Sequence, residues 1–215
     1  MAMYFEDRID AGRRLARALE AYRGRSDVLV LALPRGGVPV AAEVARFLGV
    51  PMDVLVVRKV GVPWSPELAL GAVASGGVLV VNESVLSQVA VRQDELRRAV
   101  ERERAEVARR EQTFRGGRPA LEVQGRTVLV VDDGLATGAT MRAAVRALQQ
   151  MAAARVVVAV PVAPPETLQS LQEEADEVVC LVVPRFFLAV GSAYRDFTQV
   201  SDDEVTRLLK AGSAI

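Results

Sequence analysis

Apolar residues recur along this chain in two rhythms, one of helices and one of buried strands. Phe5, Ile9, Leu15, Leu19 and Tyr22 fall at helical spacing, which predicts an amphipathic first helix. The continuous run VLVLAL follows Asp27 and has the pattern of a strand buried on both faces. PRGGVP makes a turn, and VPVAAEVARFLG continues as a helix that Gly49 and Pro51 end. DVLVVR (53–58) reads as a second strand, so the three elements form a right-handed strand–helix–strand unit with parallel strands. KVGVPWSPE (59–67) reads as a loop. LALGAVA and GVLVVN (68–82) read as a hairpin turning at Ser75-Gly76-Gly77.

The rhythm changes at 84–113. Arg92 to Glu111 is dense in Arg and Glu and holds no Gly or Pro. Leu86, Val89, Leu96, Val100 and Val107 mark one narrow apolar stripe on a charged helix. Such a stripe serves either as a dimer contact or lid-bearing element, or as the seat of a solvated helix on its own domain. FRGGRPALEVQG (114–125) breaks the helix. A strand, VLVV, then gives way to DDGLATGAT and the helical pattern MRAAVRALQQM. RVVVAVPV (155–162) is a further buried strand, PPETLQSLQEEAD a helix begun by prolines, and EVVCLVV (177–183) another strand. PRFFLAVGSAYRDF (184–197) is aromatic and irregular. SDDEVTRLLKA closes as a helix with Ser201 as N-cap and Glu204 completing a capping box. The alternation predicts a mainly parallel sheet flanked by helices, residues 1–183 forming the core with a helical insertion at about 84–113, and 184–215 forming a small C-terminal hood and helix.

Composition narrows the class. The chain has 215 residues, 51% hydrophobic, with a net charge of zero, which argues against disorder and against nonspecific nucleic-acid binding. The single cysteine, Cys180, lies in an apolar run and reads as a buried thiol, so no disulfide framework is expected. No apolar run reaches the roughly 18 residues of a membrane span. Charges interrupt MAMYFEDRID at once, which speaks against a signal peptide. These features together predict a soluble cytoplasmic enzyme. Arginines number 25 against two lysines, a bias that either a thermophile or a GC-rich genome produces. There is no histidine, so chemistry must rest on carboxylates, cations, backbone groups or the substrate's own charges.

Candidate chemistry concentrates at 128–140, VLVVDDGLATGAT. Asp132 and Asp133 end the strand and offer acceptors for sugar hydroxyls. Gly134, Leu135, Ala136, Thr137, Gly138, Ala139 and Thr140 run into a helix N-terminus, where free N–H groups and hydroxyls bind an anion. An ordinary capped turn is the plainer reading of the same residues. Neither a GxxxxGK[ST] P-loop nor a GxGxxG fingerprint is present.

This stretch resembles the phosphoribosyl-pyrophosphate-binding motif of type I phosphoribosyltransferases: apolar strand, paired acids, then a small Thr-Gly run. LPRGGVP (33–39) resembles the pyrophosphate loop of that family, in the RGG form of xanthine-guanine enzymes. The resemblance covers roughly 28–183 and implies transfer of ribose 5-phosphate from phosphoribosyl pyrophosphate to a nitrogen acceptor such as a nucleobase. It implies Asp132 and Asp133 at the ribose, 134–140 at the 5-phosphate, and Pro34, Arg35, Gly36 and Gly37 at the pyrophosphate, with Arg35 counted among the catalytic groups. Lys59 and the lid arginines Arg115 and Arg118 would add cations there, the lid being FRGGRP. Phe186, Phe187 and Tyr194 would form a hood over the base, or else cover the sheet edge. Mg2+ would be held mainly through the substrate, and a homodimer is compatible with the family. Hypoxanthine-guanine enzymes carry a loop carboxylate where this chain has Ala136, which lowers that reading without selecting another. The same fold also serves non-catalytic proteins that sense phosphoribosyl pyrophosphate or nucleotides.

Overall fold

A computed structural model describes residues 4–62, 65–89 and 91–212. Five parallel strands form the central sheet: β1 (Val28–Ala32), β2 (Met52–Val54), β6 (Thr127–Val131), β7 (Arg155–Val162) and β8 (Glu177–Val182), in the order β2-β1-β6-β7-β8. A second, antiparallel sheet holds β3 (Val57–Val62), β4 (Ser65–Ala74) and β5 (Val78–Val81). The helices are α1 (Arg8–Ala18), α2 (Gly37–Leu48), α3 (Glu83–Leu86), α4 (Gln93–Arg115), α5 (Ala139–Gln150), α6 (Pro165–Gln172) and α7 (Asp202–Gly212).

The strands of the parallel sheet are apolar throughout because both faces are covered. Val28, Val30, Ala32, Leu129 and Val131 face one cluster with Leu15, Val44 and Leu209, from α1, α2 and α7. The alternating residues Leu29, Leu31, Val128 and Val130 face the other, with Met141, Leu148 and Leu171 from α5 and α6. Each such side chain, fully buried, contributes about 1.5–3 kcal/mol. Gly49 ends α2 in the left-handed conformation (φ 65°), its N–H returning to Ala45 O. Ser201 Oγ accepts from Glu204 N at 3.1 Å, so the expected cap of α7 is formed.

Several expectations need correction. DVLVVR is not one strand. The chain leaves the parallel sheet at the end of β2, Val54, and joins the antiparallel sheet at Val57, because buried Ser75 takes both groups of Val56: Ser75 N donates to Val56 O and Val56 N donates to Ser75 Oγ, each at 2.9 Å. KVGVPWSPE is largely strand rather than loop, paired Val57↔Ala74 through Val62↔Ser65; its Pro63 and Trp64 lie outside the described residues. The first helix is shorter than its spacing suggested: Phe5 precedes α1 in a bridge with Tyr194, Leu19 caps its end, Tyr22 lies in the following turn, and Ile9 is 43% exposed. Cys180 is half-buried on the edge strand β8, and burial raises its thiol pKa. The hairpin at 75–77 forms as expected, with Ala74 opposite Val78. The expected stripe is divided between two helices: Leu86 ends α3, Val89 lies between α3 and α4, and on α4 Val100 and Val107, with Ala99 and Phe114, are buried in the chain's own core beside Val60 and Val73.

Candidate active site

The two loops singled out in the sequence meet where the strand order reverses. β1 and β6 are neighbours in register, Ala32 opposite Val131, and the chain runs from β1 outward to β2 on one side and from β6 to β7 on the other. In open α/β sheets the crevice at this switch point takes ligands. Leu33 N donates to Val131 O at 2.9 Å, tying the start of one loop to the end of the other strand. The Pro34–Arg35 peptide is cis.

The glycine pair lies directly against the carboxylate pair. A Cβ on Gly36 would sit 2.0 Å from Asp133 Oδ2, and one on Gly37 would sit 2.6 Å from Val131 O and 2.9 Å from Asp132 Cα. Only glycine lets the backbones approach so closely. Asp132 Oδ1 accepts from Asp133 N at 2.8 Å. Asp133 Oδ2 accepts from Arg8 Nε at 2.8 Å, in a pair whose side chains are 11% and 13% exposed. Burial, then the charge of Asp133, pushes the Asp132 carboxyl well above the usual range. Burial raises Asp133 as well, against the pull of Arg8. These carboxylates are thus crowded into a site that disfavours their charge, an arrangement typical of functional sites.

Beyond them the chain opens. Gly134 and Leu135 are buried; a Cβ on Gly134 would collide with Val190 and Val162, and Leu135 N donates to Val162 O. Ala136, Thr137, Ala139 and Thr140 are exposed, and Gly138 (φ 69°) starts α5. The first N–H groups of a helix have no intrahelical acceptor, so this turn is a ready anion cradle. Thr167 holds it from behind: its hydroxyl donates to Ala136 O at 2.6 Å, and its methyl is 2.6 Å from where a Cβ on Gly138 would be. Thr167→Val is expected to lose that bond, worth about 1 kcal/mol, and to weaken ribose 5-phosphate binding several-fold. Calorimetric titration checks it; an unchanged affinity would show that the loop holds its shape alone.

A cleft of about 340 Å3 beside Asp133 is lined by Arg8, Arg35, Gly36, Phe197, Gln199 and Val200. Arg35 lies on its rim, 3.4 Å from Asp202. Arg8 and Thr167 carry no local signature and were missed in the sequence.

Other expected site residues are placed differently. Lys59 lines a second cleft, between β3–β5 and α5, with Asn82, Arg142 and Arg146, and Ala139 at the end of the Asp-Asp loop borders that cleft too. Arg58, its neighbour, is paired with Glu103 of α4 at 3.1 Å. Arg115 and Arg118 are not poised over the Asp-Asp loop. Arg115 binds Asp53 through Nε and Nη2 and also Pro119 O; Arg118 Nη2 donates to Leu209 O. Their surroundings, Leu29, Pro51 and Arg126, mark the opposite edge of the sheet, at the strand starts. The glycine pair there caps α4, with Gly116 left-handed, instead of hinging a lid. Removing one partner of a buried ion pair costs about 3–5 kcal/mol, so Asp53→Ala should destabilise the fold strongly. Ribose 5-phosphate affinity of the fraction that folds should be unchanged; a loss of that affinity, measured below the melting point, would return these arginines to the site.

The aromatic hood also needs correction. Tyr194 is 4% exposed, stacked between Phe5 and Phe197 at 5.4 and 5.0 Å, and its hydroxyl donates to Asp133 O. It buttresses the acidic turn and offers no open face. Phe187 packs beside that cluster, while Phe186 is 85% exposed. The cavity these two line, about 50 Å3, is too small for a base.

Among the described residues no group of three or more His, Cys, Asp or Glu side chains is placed to hold a metal. Two adjacent carboxylates, one engaged by Arg8, do not make a cage, but they suit a magnesium ion carried mainly by substrate oxygens. No helix among the described residues is long and apolar enough to cross a membrane.

Comparison with known proteins agrees with this geometry. A family model for the phosphoribosyl transferase domain matches residues 4–197. Two Mycobacterium tuberculosis proteins, from strains CDC 1551 and H37Rv, whose names assign them provisionally to the phosphoribosyl transferases, are each 48% identical over 205 residues, 95% of this chain and 46% of theirs. The chain therefore spans about half the length of these curated relatives. The crystal structure of TT1426 from Thermus thermophilus is similar over 98% of this chain and 100% of that one, at 48% identity and a TM-score of 0.88. With its mainly parallel sheet, its paired acids and its glycine loop at the switch point, the chain belongs to the phosphoribosyl transferase family.

Proposed function

We infer that the chain transfers ribose 5-phosphate from phosphoribosyl pyrophosphate to a nitrogen acceptor, a nucleobase, with release of pyrophosphate. The observation that carries this reading is the packing of Gly36 and Gly37 onto Asp132 and Asp133, which sets a cation-bearing loop and an anion cradle on either side of two carboxylates.

The loop at 136–140, through its hydroxyls and the N–H groups at the start of α5, holds the 5-phosphate. Asp132 and Asp133 accept from the ribose hydroxyls, and their charge favours the oxocarbenium character that develops at the anomeric carbon. The backbone at 34–37 and the Arg35 guanidinium receive the departing pyrophosphate. Asp132 and Asp133 would flank a magnesium ion carried mainly by substrate oxygens, which would supply further charge neutralisation on the pyrophosphate. Ala136 provides no carboxylate toward a base, so the acceptor is selected elsewhere.

The packed state of Tyr194 favours one second reading, a protein of this fold that binds phosphoribosyl pyrophosphate without transferring it. A turnover screen separates the two: the chain with phosphoribosyl pyrophosphate, magnesium and a panel of purines and pyrimidines, read as acceptor-dependent pyrophosphate release. Release with one base class supports the transferase. Binding without release for any acceptor supports the sensor.

A further inference from the structure

Arg8 is the first residue of α1, and its guanidinium reaches into the cleft beside Asp133. Nε donates to Asp133 Oδ2 at 2.8 Å, Nη1 donates to Thr198 O at 2.7 Å, and the guanidinium carbon lies 3.9 Å from the centre of the Phe197 ring. The seat is firm. Tyr4 N and Phe5 N donate to Ala193 O, while Arg195 N donates to Phe5 O and Asp196 N to Glu6 O, so the chain just before Arg8 is clamped to the segment that carries Phe197 and Thr198.

Across the cleft stands Arg35, loosely held by Asp202 at 3.4 Å with both side chains well exposed. Two guanidinium groups therefore face one space that also contains a buried carboxylate. A diphosphate calls for the cations, and vicinal hydroxyls call for the carboxylate. In this structure the two groups meet each other, Arg8 on Asp133.

We propose that Arg8 is a substrate ligand stored on Asp133: as a diphosphate-bearing sugar enters, the guanidinium passes from the carboxylate to a diphosphate oxygen and Asp133 turns to the sugar hydroxyls. The proposal rests on the phosphoribosyl reading of the site. The exchange is small, since the bond to Thr198 O and the stack on Phe197 need not break. It leaves the guanidinium paired with an anion and the carboxylate hydrogen-bonded to hydroxyls, so neither polar group is left without a partner where both are nearly buried.

The test is calorimetric titration of the intact chain with two probes, magnesium pyrophosphate and ribose 5-phosphate, in wild type, Arg8→Gln and Arg8→Lys, each repeated in an Asp133→Asn background. The expected result is a loss of about 10- to 100-fold in pyrophosphate affinity for Arg8→Gln, the range for one hydrogen bond to a charged group. Arg8→Lys should recover part of it. Ribose 5-phosphate, seated at 136–140, should change by no more than about twofold. The loss must persist in the Asp133→Asn background, where Arg8 has no carboxylate left to orient. Disappearance of the effect there would overturn the proposal, making Arg8 a counter-ion only. Tighter pyrophosphate binding by Arg8→Gln would show a plug and no ligand. Equal loss of both probes with a lowered melting temperature would show a structural residue. A wild-type chain that binds ribose 5-phosphate but not pyrophosphate would overturn this proposal alone; one that binds neither would remove the phosphoribosyl reading as well.

Discussion

Replacing Asp132 and Asp133 together by asparagine is expected to lower affinity for phosphoribosyl pyrophosphate about a hundredfold or more; the chain should still fold, at a cost in stability because Asp133→Asn leaves the nearly buried Arg8 without its carboxylate. Hydrogen bonds to charged groups are worth about 1.5–3 kcal/mol each, and two are lost. The carboxylates stand at the end of β6, and neither supports the core beneath them. At Asp132 alone, stability should respond in the opposite direction from function. Burial and the charge of Asp133 raise the Asp132 carboxyl above its unfolded value. A carboxyl shifted upward by folding costs the folded state stability as pH rises from the unfolded pKa through the folded one, and the cost is complete above both. Asp132→Asn alone should therefore raise the melting temperature at pH 8 and change it little at pH 3, where the carboxyl is protonated in both states. Titration with phosphoribosyl pyrophosphate and magnesium, beside thermal melts at the two pH values, checks both halves. Unchanged affinity would mean that the carboxylates merely shape the turn. A lower melting temperature of Asp132→Asn at pH 8 would mean that this carboxylate holds the fold.

Alanine at the two glycines should separate function from stability. At Gly36 the new methyl meets the Asp133 side chain, 2.0 Å from Oδ2 and 2.6 Å from Cγ. That side chain can yield only by leaving Arg8, so Gly36→Ala should lose phosphoribosyl pyrophosphate binding with a modest change in stability. At Gly37 the methyl meets backbone, Val131 O and Asp132 Cα, which cannot yield without moving β6. Overpacking of this kind costs about 1–3 kcal/mol, so Gly37→Ala should lose stability as well as binding. Denaturant unfolding and ligand titration of both variants read the difference. Normal binding by Gly36→Ala would mean that the two loops do not form one site.

What was legible in the sequence was local. VLVVDDGLATGAT declares its strand, turn and helix within thirteen residues, and the structure places them so, from Thr127 to Gln150. The covered strands, the hairpin at 75–77 and the cap at Ser201 were legible for the same reason: each depends on neighbours in the chain. What was hidden depends on partners far away. DVLVVR is uniformly apolar, and the switch between sheets is set by Ser75, nineteen residues from Val56. Arg115 has Glu111, and Arg118 has Glu122, four residues away in the chain, yet Asp53, sixty-two residues before Arg115, is the carboxylate that binds it. Tyr194 looked like a stacking face until its hydroxyl found Asp133 O. Arg8 is one arginine among 25, and only the pairing of residues 4–6 with 193–196 brings it to the site.

The central claim is that the loop at 33–37 and the loop at 132–140 bind one molecule between them. Amide hydrogen exchange of the chain, with and without phosphoribosyl pyrophosphate and magnesium, tests it most directly. The account predicts new protection in both segments together, saturating at one ligand per chain, with 112–124 unaffected. Protection confined to one of the two loops, or found only outside them, would contradict it.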